Sequence, residues 1–502
     1  MSARHAAPSG MLGRLLRQGS IYAVGNLLLK ASGLLLAPLY LNTALLPQES
    51  YGYLVLLEAT AQLLLPLLGL GMTTGLFKFA TDPARRADQE AVPFTVLSVS
   101  VGMALLVVVV SGGSAGWLSA RLGWPEGAPI LRLFGGYLAA KIVGGVPLAF
   151  LRLRERALLY TTAMLLETTL FIGGVYYFLA HAHLGLRGVV QAMVLASGSS
   201  ALVLVGGMLR VIPWRWSPHL IGALMRFGVP LALAGVAMPV LHVGDRYLLG
   251  WLAGPETVAV YGWAARLSGV LNMLLVQSFQ LAFAVIGLKA LGAQPAGEAT
   301  LHRRTFRHYS IWGGWIVLAL SLSAYDVTAW LASDPVYLQA DPLVLPLSLG
   351  YLLLGLHNIF VNVLHAAGES RFIAWNVVGA GLLNVALNLW WIPVLGAMGA
   401  ALATVVAYGV LAGGAAWRAL RVRPTTYPWR VLGLTTAIVV GLFLLGLPTL
   451  TWPAAARLVG RGLLVLLYGL LVVAFRLYRY EELQEGWQWL RRRWRLLRAA
   501  DD

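Results

Sequence analysis

The chain has 502 residues, of which 59% are hydrophobic and only 11% charged, with a mean hydropathy of +0.75. No soluble domain of this length needs so much apolar sequence, whereas a polytopic membrane protein does. The formal net charge of +17 does not point to nucleic acid, because the basic residues form short clusters between apolar spans, as the positive-inside bias requires.

The absence of cysteine excludes disulfides, thiolate metal sites and cysteine nucleophiles. The first residues are basic (Arg4, Arg14, Arg17), but the apolar run behind them is span length and lacks a small-residue cleavage site, so it reads as a retained first helix. At roughly 20 apolar residues per crossing, fourteen spans follow. They lie near 19–41, 53–77, 92–118, 130–151, 158–180, 188–210, 227–251, 259–287, 309–331, 343–365, 372–393, 396–417, 431–450 and 458–476. The expected fold is therefore an all-α polytopic membrane protein.

The loops test this count. With the N-terminus in the cytoplasm, the inside segments hold 28 Lys and Arg, and the outside loops hold 4 (Arg121, Arg187, Arg457, Arg461). Five bases fall within spans: Lys30, Arg132, Lys141, Arg246 and Arg266. A span miscounted early would scramble that asymmetry, so both termini are expected in the cytoplasm. Every loop is short, which leaves no extramembrane domain to carry soluble chemistry. The tail, 478–502, mixes Trp487, Trp489, Trp494 and leucines with Arg491-Arg492-Arg493 and Arg495. It reads as a basic amphipathic helix on the anionic cytoplasmic leaflet, with a solvated charged tail as the plainer alternative.

An internal repeat is visible. Tyr51-Gly52 recurs as Tyr261-Gly262 at an offset of 210, and Lys78 as Lys289 at 211. Leu184-Gly185-Leu186-Arg187-Gly188 recurs as Leu395-Gly396-Ala397-Met398-Gly399, again at 211. The period covers six spans, an even number, so the two halves have the same orientation. The expected organisation is an N-lobe over 1–215, a C-lobe over 216–425, two further spans over 426–477 and the basic tail over 478–502.

Four fragments carry a family resemblance. They are Tyr51-Gly52-Tyr53 with Leu68-Gly69-Leu70-Gly71; Pro230 with Gly244-Asp245-Arg246-Tyr247-Leu248-Leu249-Gly250; Val260-Tyr261-Gly262-Trp263-Ala264-Ala265-Arg266; and the run from Asn384 through Asn388, Pro393 and Gly396 to Ala401. Through them the chain resembles the polysaccharide transporter family, O-antigen-type flippases, of the multidrug/oligosaccharidyl-lipid/polysaccharide exporter superfamily. One departure is visible: span 8 lacks the proline common after its aromatic run and reads Phe279-Gln280 through Gly287.

The resemblance implies two lobes around a cavity that opens alternately to either side of the bacterial inner membrane. The implied partner is a polyprenyl-diphosphate-linked oligosaccharide destined for lipopolysaccharide or another surface glycan. Membrane lipids and glycan polymerases or glycosyltransferases of the same pathway are further expected partners. A cation-coupled multidrug or metabolite exporter of the same superfamily is the alternative. A membrane-embedded glycan polymerase would need a large outer loop, which the chain lacks, so no enzyme activity is expected.

Cationic side chains within the membrane would offset the phosphate charge along a polar path. Lys30, midway along span 1 with Asn26 one turn earlier, is the leading substrate candidate, in a chain with 33 Arg but only 4 Lys. Its alternative is an ion pair with Glu58. Lys141, Arg246 and Arg266 are further substrate candidates. Lys141 could instead snorkel to the cytoplasmic side with Arg152. Asp245 and Arg246 point about 100° apart on a helix, so Asp245 is free to clamp Arg266 and leave Arg246 for phosphate.

His242, one turn earlier, suits a supporting donor or a proton site. Glu58 and Glu167 are intramembrane carboxylates that suit either H⁺ or Na⁺ coupling or a salt bridge to a cavity base. Asn384 and Asn388 share a face of span 11 and suit interhelical hydrogen bonding or sugar contact. His181 and His183 have no third ligand, and no phosphate-cradling Gly loop is present, so neither a metal nor a nucleotide cofactor is expected.

Overall fold

The computed structural model describes residues 33–83, 88–277 and 295–478. Its described residues are helical with no β-strand. In chain order the long helices are α1 (Gln48–Leu68), α2 (Met72–Ala80), α3 (Val92–Arg121), α4 (Gly127–Leu153), α5 (Ala157–Val175), α6 (Gly185–Leu209), α7 (Pro218–Ala234) and α8 (Ala237–Ala253). There follow α9 (Pro255–Leu271), α10 (Pro295–Leu331), α11 (Asp341–Ala366), α12 (Ser370–Leu395), α13 (Ala397–Val422), α14 (Trp429–Gly446) and α15 (Ala454–Ala474).

Among the described residues, 12 helices are long and apolar enough to cross a membrane, or 13 if α7 and α8 form one bent span. These correspond one by one to spans 2–14 of the sequence. Most of span 1, the end of span 8 and the basic tail beyond Tyr478 lie outside the described residues.

Two spans expected to be continuous are broken. Span 7 bends by 47° between α7 and α8. Pro230 removes a backbone donor a turn and a half before the break, and Gly235 ends α7. Span 2 breaks between α1 and α2 at Leu70 and Gly71, whose φ values are 47° and 64°. The two weak points meet: a Cβ on Gly228 of α7 would lie 2.1 Å from the Leu70 carbonyl oxygen, and one on Gly71 would lie 2.6 Å from the Gly228 oxygen. Backbones can approach this closely only where neither residue has a side chain.

The repeated Tyr-Gly pairs have a related use. A Cβ on Gly52 would fall 1.9 Å from the Pro255 oxygen, and one on Gly262 would fall 2.6 Å from Val55. Each copy of the motif thus lets α1 and α9 pack at short range, with Tyr51 and Tyr261 buried beside it.

The chain forms two compact units. The first comprises the described residues up to Arg266 with Leu331–Gln339 and Ala374–Ala407. One of its buried clusters joins Met72, Leu76 and Phe79 of α2 to Val96 of α3, Phe150 of α4 and Leu224 of α7. The second comprises Leu267–Trp330, Ala340–Ile373 and the described residues from Tyr408 onward. Its core includes Phe306, Phe360, Tyr427, Val439, Phe443 and Tyr468. The C-terminal helices α14 and α15 are part of that core. The Tyr468 hydroxyl donates to the Ile311 carbonyl at 2.7 Å, across α10 residues kept thin by Gly314.

Candidate functional site

The first unit gathers most of the described sequence candidates. Arg266, in the last turns of α9, donates through Nη2 to both oxygens of Glu58 on α1 at 2.6 Å. Its Nη1 reaches the Gly33 carbonyl at 3.5 Å, and its guanidinium lies 5.3 Å from the Tyr40 ring and 5.7 Å from that of Tyr51. Tyr40 stacks on Tyr51, which meets Tyr337 edge-on. Apolar helix faces place the pair in the interior, and the rings and carboxylate then supply what the buried cation needs. The Tyr51 hydroxyl is buried without a partner and feels the charges of Arg266, Glu58 and Arg246.

The expected Asp245–Arg266 clamp does not form, because Glu58 already occupies Arg266. Asp245, only 3% exposed, is instead held by hydroxyls. Tyr261 of α9 donates to its Oδ2, Thr404 of α13 donates to the same oxygen at 3.3 Å, and the Arg246 backbone N–H donates to Oδ1 at 2.9 Å. Asp245 therefore ties α8 to α9 and α13. Arg246 points elsewhere, as the 100° step along a helix requires. It forms no side-chain ion pair among the described residues, and its Nε is buried without a partner. His242, one turn earlier, feels the Arg246 charge.

Asn384 and Asn388 of α12 are buried, but their bonding runs within the helix and not between helices. Asn388 Nδ2 donates to the Asn384 backbone oxygen at 2.8 Å and to its side-chain oxygen at 3.0 Å, since residues four apart stack on one face. Asn384 Nδ2 and Asn388 Oδ1 stay unpartnered.

A second charged pair lies in the same unit. Lys141 of α4 donates to Glu167 of α5. Both line a cavity of about 400 Å³ with Thr73, Thr74, Ser197 and Ser200. Lys141 faces this cavity and does not snorkel toward Arg152, because the carboxylate lies across the gap. Gly144 and Gly145 of α4 keep the wall beside it low. Lys78 sits 3.9 Å from the Phe227 ring, where α2 ends against α7. Lys30 and Asn26 lie outside the described residues, as do Lys289 and the Phe279–Gly287 run.

The sequence reading missed a buried cluster in the second unit. Asp326 of α10 accepts from Arg457 Nε at 2.7 Å and from Arg461 Nη1 at 3.0 Å. Arg461 also reaches the Thr449 hydroxyl at 3.0 Å and the Leu322 carbonyl at 2.8 Å. The sequence pattern places these two arginines in an outer loop, but α15 starts at Ala454 and buries Arg461 to 6% exposure. Their i, i+4 spacing opposite a lone acid in an apolar span was the available signal.

A family model described as "Polysaccharide biosynthesis protein" matches residues 15–284. No curated protein matches the chain. Among solved structures, the lipid II flippase MurJ in an inward closed conformation superposes with a TM-score of 0.71 at 11% identity, covering 91% of this chain and 98% of that one. An inward-facing multidrug resistance MATE family transporter of the MOP superfamily gives 0.68 at 15% identity, over 78% of this chain and 94% of that one. A MOP superfamily transporter from Pyrococcus furiosus Vc1 gives 0.59 at 16% identity, over 81% and 96%. At these identities the likeness is one of fold.

Proposed function

The chain belongs to the polysaccharide biosynthesis protein family and has the polytopic fold of MOP superfamily transporters, and from that premise we propose that it is a flippase for polyprenyl-diphosphate-linked oligosaccharide in the bacterial cytoplasmic membrane. Its two six-helix lobes would work by alternating access, for surface glycans of the O-antigen or lipopolysaccharide kind. A lipid II flippase stands among its structural neighbours, and that likeness of fold is consistent with the reading.

The observation that carries it is Arg246. A cation within an apolar span is expensive unless something answers its charge, and the Arg246 side chain forms no ion pair among the described residues, with its Nε buried without a partner. A guanidinium with donors to spare suits a diphosphate, which it grips in bidentate fashion. Lys30 and Lys141 would extend the polar path, while the polyprenyl tail stays in hydrocarbon.

The exporter alternative needs a free membrane carboxylate to hold a cationic drug. Glu58, Glu167 and Asp326 are each neutralised by a base and Asp245 is taken up by Tyr261, Thr404 and a backbone N–H, which supports the anionic substrate. Coupling to H⁺ or Na⁺ is assigned to Glu58, Glu167 or Asp245, each in a site where losing or gaining a charge would reset helix contacts. Glycosyltransferases or a polymerase of the same pathway are the partners this reading implies, and no cofactor is needed.

Reconstitution with a fluorescent polyprenyl-diphosphate glycan tests the proposal. Translocation should exceed that of empty vesicles and fall at least tenfold in Arg246→Gln without loss of folded protein. No transport above the empty-vesicle rate under any imposed ion gradient would overturn it.

A further inference from the structure

A second cavity of the first unit lies apart from the charged pairs. It is a groove of about 530 Å³ between α4, α5 and α6, within the roughly 300–1,000 Å³ of pockets that bury a small molecule. Its walls are apolar: Phe150 and Leu151 of α4, Leu159, Leu166 and Leu170 of α5, and Val203 of α6. Two of its three hydroxyls are already used, since Thr162 donates to the Leu159 carbonyl at 3.1 Å and Ser199 to the Leu195 carbonyl at 2.6 Å. A glycan would find few hydrogen bonds along these walls, whereas a hydrocarbon chain would lose little by entering.

The mouth has the opposite character. Arg154 and Arg156 line it, both exposed, and neither forms an ion pair among the described residues. They sit on the turn between α4 and α5, closed by the Glu155 N–H on the Arg152 oxygen at 3.0 Å and the Arg156 N–H on the Leu151 oxygen at 2.9 Å. Glu155 occupies the left-handed region at φ 56°, a conformation that holds the two arginines on one fixed turn. With Arg152, the turn carries three bases against the single acid Glu155. Val211 borders the same groove, and the exposed Trp214 three residues on is the aromatic type that anchors at a membrane interface.

We propose that this groove binds an anionic glycerophospholipid of the surrounding bilayer, with an acyl chain between α5 and α6 and its phosphate on Arg154 and Arg156. Basic pockets between helices at the cytoplasmic face are suited to such headgroups, and the charge bias of the loops assigns this turn to that face. The site also has a consequence for the interior. Leu159, Thr162, Ala163, Leu166 and Leu170 form one face of α5 toward the groove, while Glu167, about a quarter-turn round the helix, lines the cavity with Lys141. Ser200 of α6 borders both spaces. A bound acyl chain therefore packs on the face of α5 beside Glu167 and steadies the helix that positions it.

The test uses the full chain purified in neutral detergent, with the apparent melting temperature read after adding phosphatidylglycerol, phosphatidylcholine of the same acyl chains, or soluble glycerol phosphate. Phosphatidylglycerol should raise the temperature and the other two should not. The shift should vanish in Arg154→Gln/Arg156→Gln. It should also vanish in Gly207→Leu, where a Cβ meets nothing within 4 Å and the added side chain fills the groove lined by Gly207.

Equal shifts with the two lipids, a full effect of glycerol phosphate, or an unchanged shift in the folded variants would each overturn the proposal. Gly207→Leu decides the matter where the double variant does not fold. The readout involves no transport, so it stands apart from the flippase reading.

Discussion

Replacing Glu58 by Gln is the sharpest perturbation of the first unit. It removes the carboxylate that takes both 2.6 Å contacts from Arg266 Nη2, while the side chains involved are only 17% and 28% exposed. Removing one partner of a buried pair costs about 3–5 kcal/mol, because the other charge is left uncompensated. Two features hold the value to the lower end. Gln retains one acceptor oxygen, and the Tyr40 and Tyr51 rings each return roughly 0.5–1 kcal/mol of cation–π attraction to Arg266.

The expected loss is thus about 3 kcal/mol, a drop in apparent melting temperature on the order of 5 °C for a unit of this size. Arg266→Gln should lose a similar amount by stranding Glu58. The double variant Glu58→Gln/Arg266→Gln should lose clearly less than the sum, with a coupling of about 1.5–3 kcal/mol. The measurement is thermal unfolding of the four purified proteins in one detergent. Losses in the double variant that equal the sum of the singles would refute the pairing.

Three other outcomes follow from the packing. Gly228→Leu should destabilise by about 3 kcal/mol or more, because even its Cβ would sit 2.1 Å from the Leu70 oxygen; Gly222→Ala on the same helix, with open space around it, serves as the melting control and should be near neutral. Tyr261→Phe should cost about 1.5–3 kcal/mol, the worth of a hydrogen bond to a buried carboxylate, and Thr404→Val less, since its 3.3 Å contact is longer; the two melting temperatures give the order. Arg461→Met should cost about 1.5–3 kcal/mol, the worth of a hydrogen bond to a charged group, because Asp326 keeps Arg457, and adding Asp326→Leu should deepen the loss in the same assay by stranding Arg457.

Hydropathy periods place thirteen of the spans seen in the described residues, because a bilayer sets helix length and the backbone must be satisfied within each helix. The breaks were less legible. Pro230 and Gly69-Leu70-Gly71 were visible as residues, but that the two weak points touch is a property of packing between distant segments. The Tyr-Gly repeat was legible as a pattern, while its use as a close approach of α1 and α9 was not. Intramembrane charges could be named one by one, and yet their partners could not. Glu58 lies 208 residues from Arg266, and nothing local distinguishes it from Glu167 or Asp245 as the mate of a given base.

The sequence by itself determined that this is an all-α membrane chain, and it marked Glu58, Lys141, Glu167, Asp245, Arg246 and Arg266 within the apolar spans but not Arg461. Those are consequences of local composition and period, which the solvent enforces residue by residue. Only the tertiary structure decided that Arg266 takes Glu58, Lys141 takes Glu167, Asp245 is held by two hydroxyls, and the Arg246 side chain forms no ion pair among the described residues. Pairing depends on which helix faces meet, and that is set by the packing of small residues such as Gly52, Gly71, Gly228 and Gly262 across long stretches of chain.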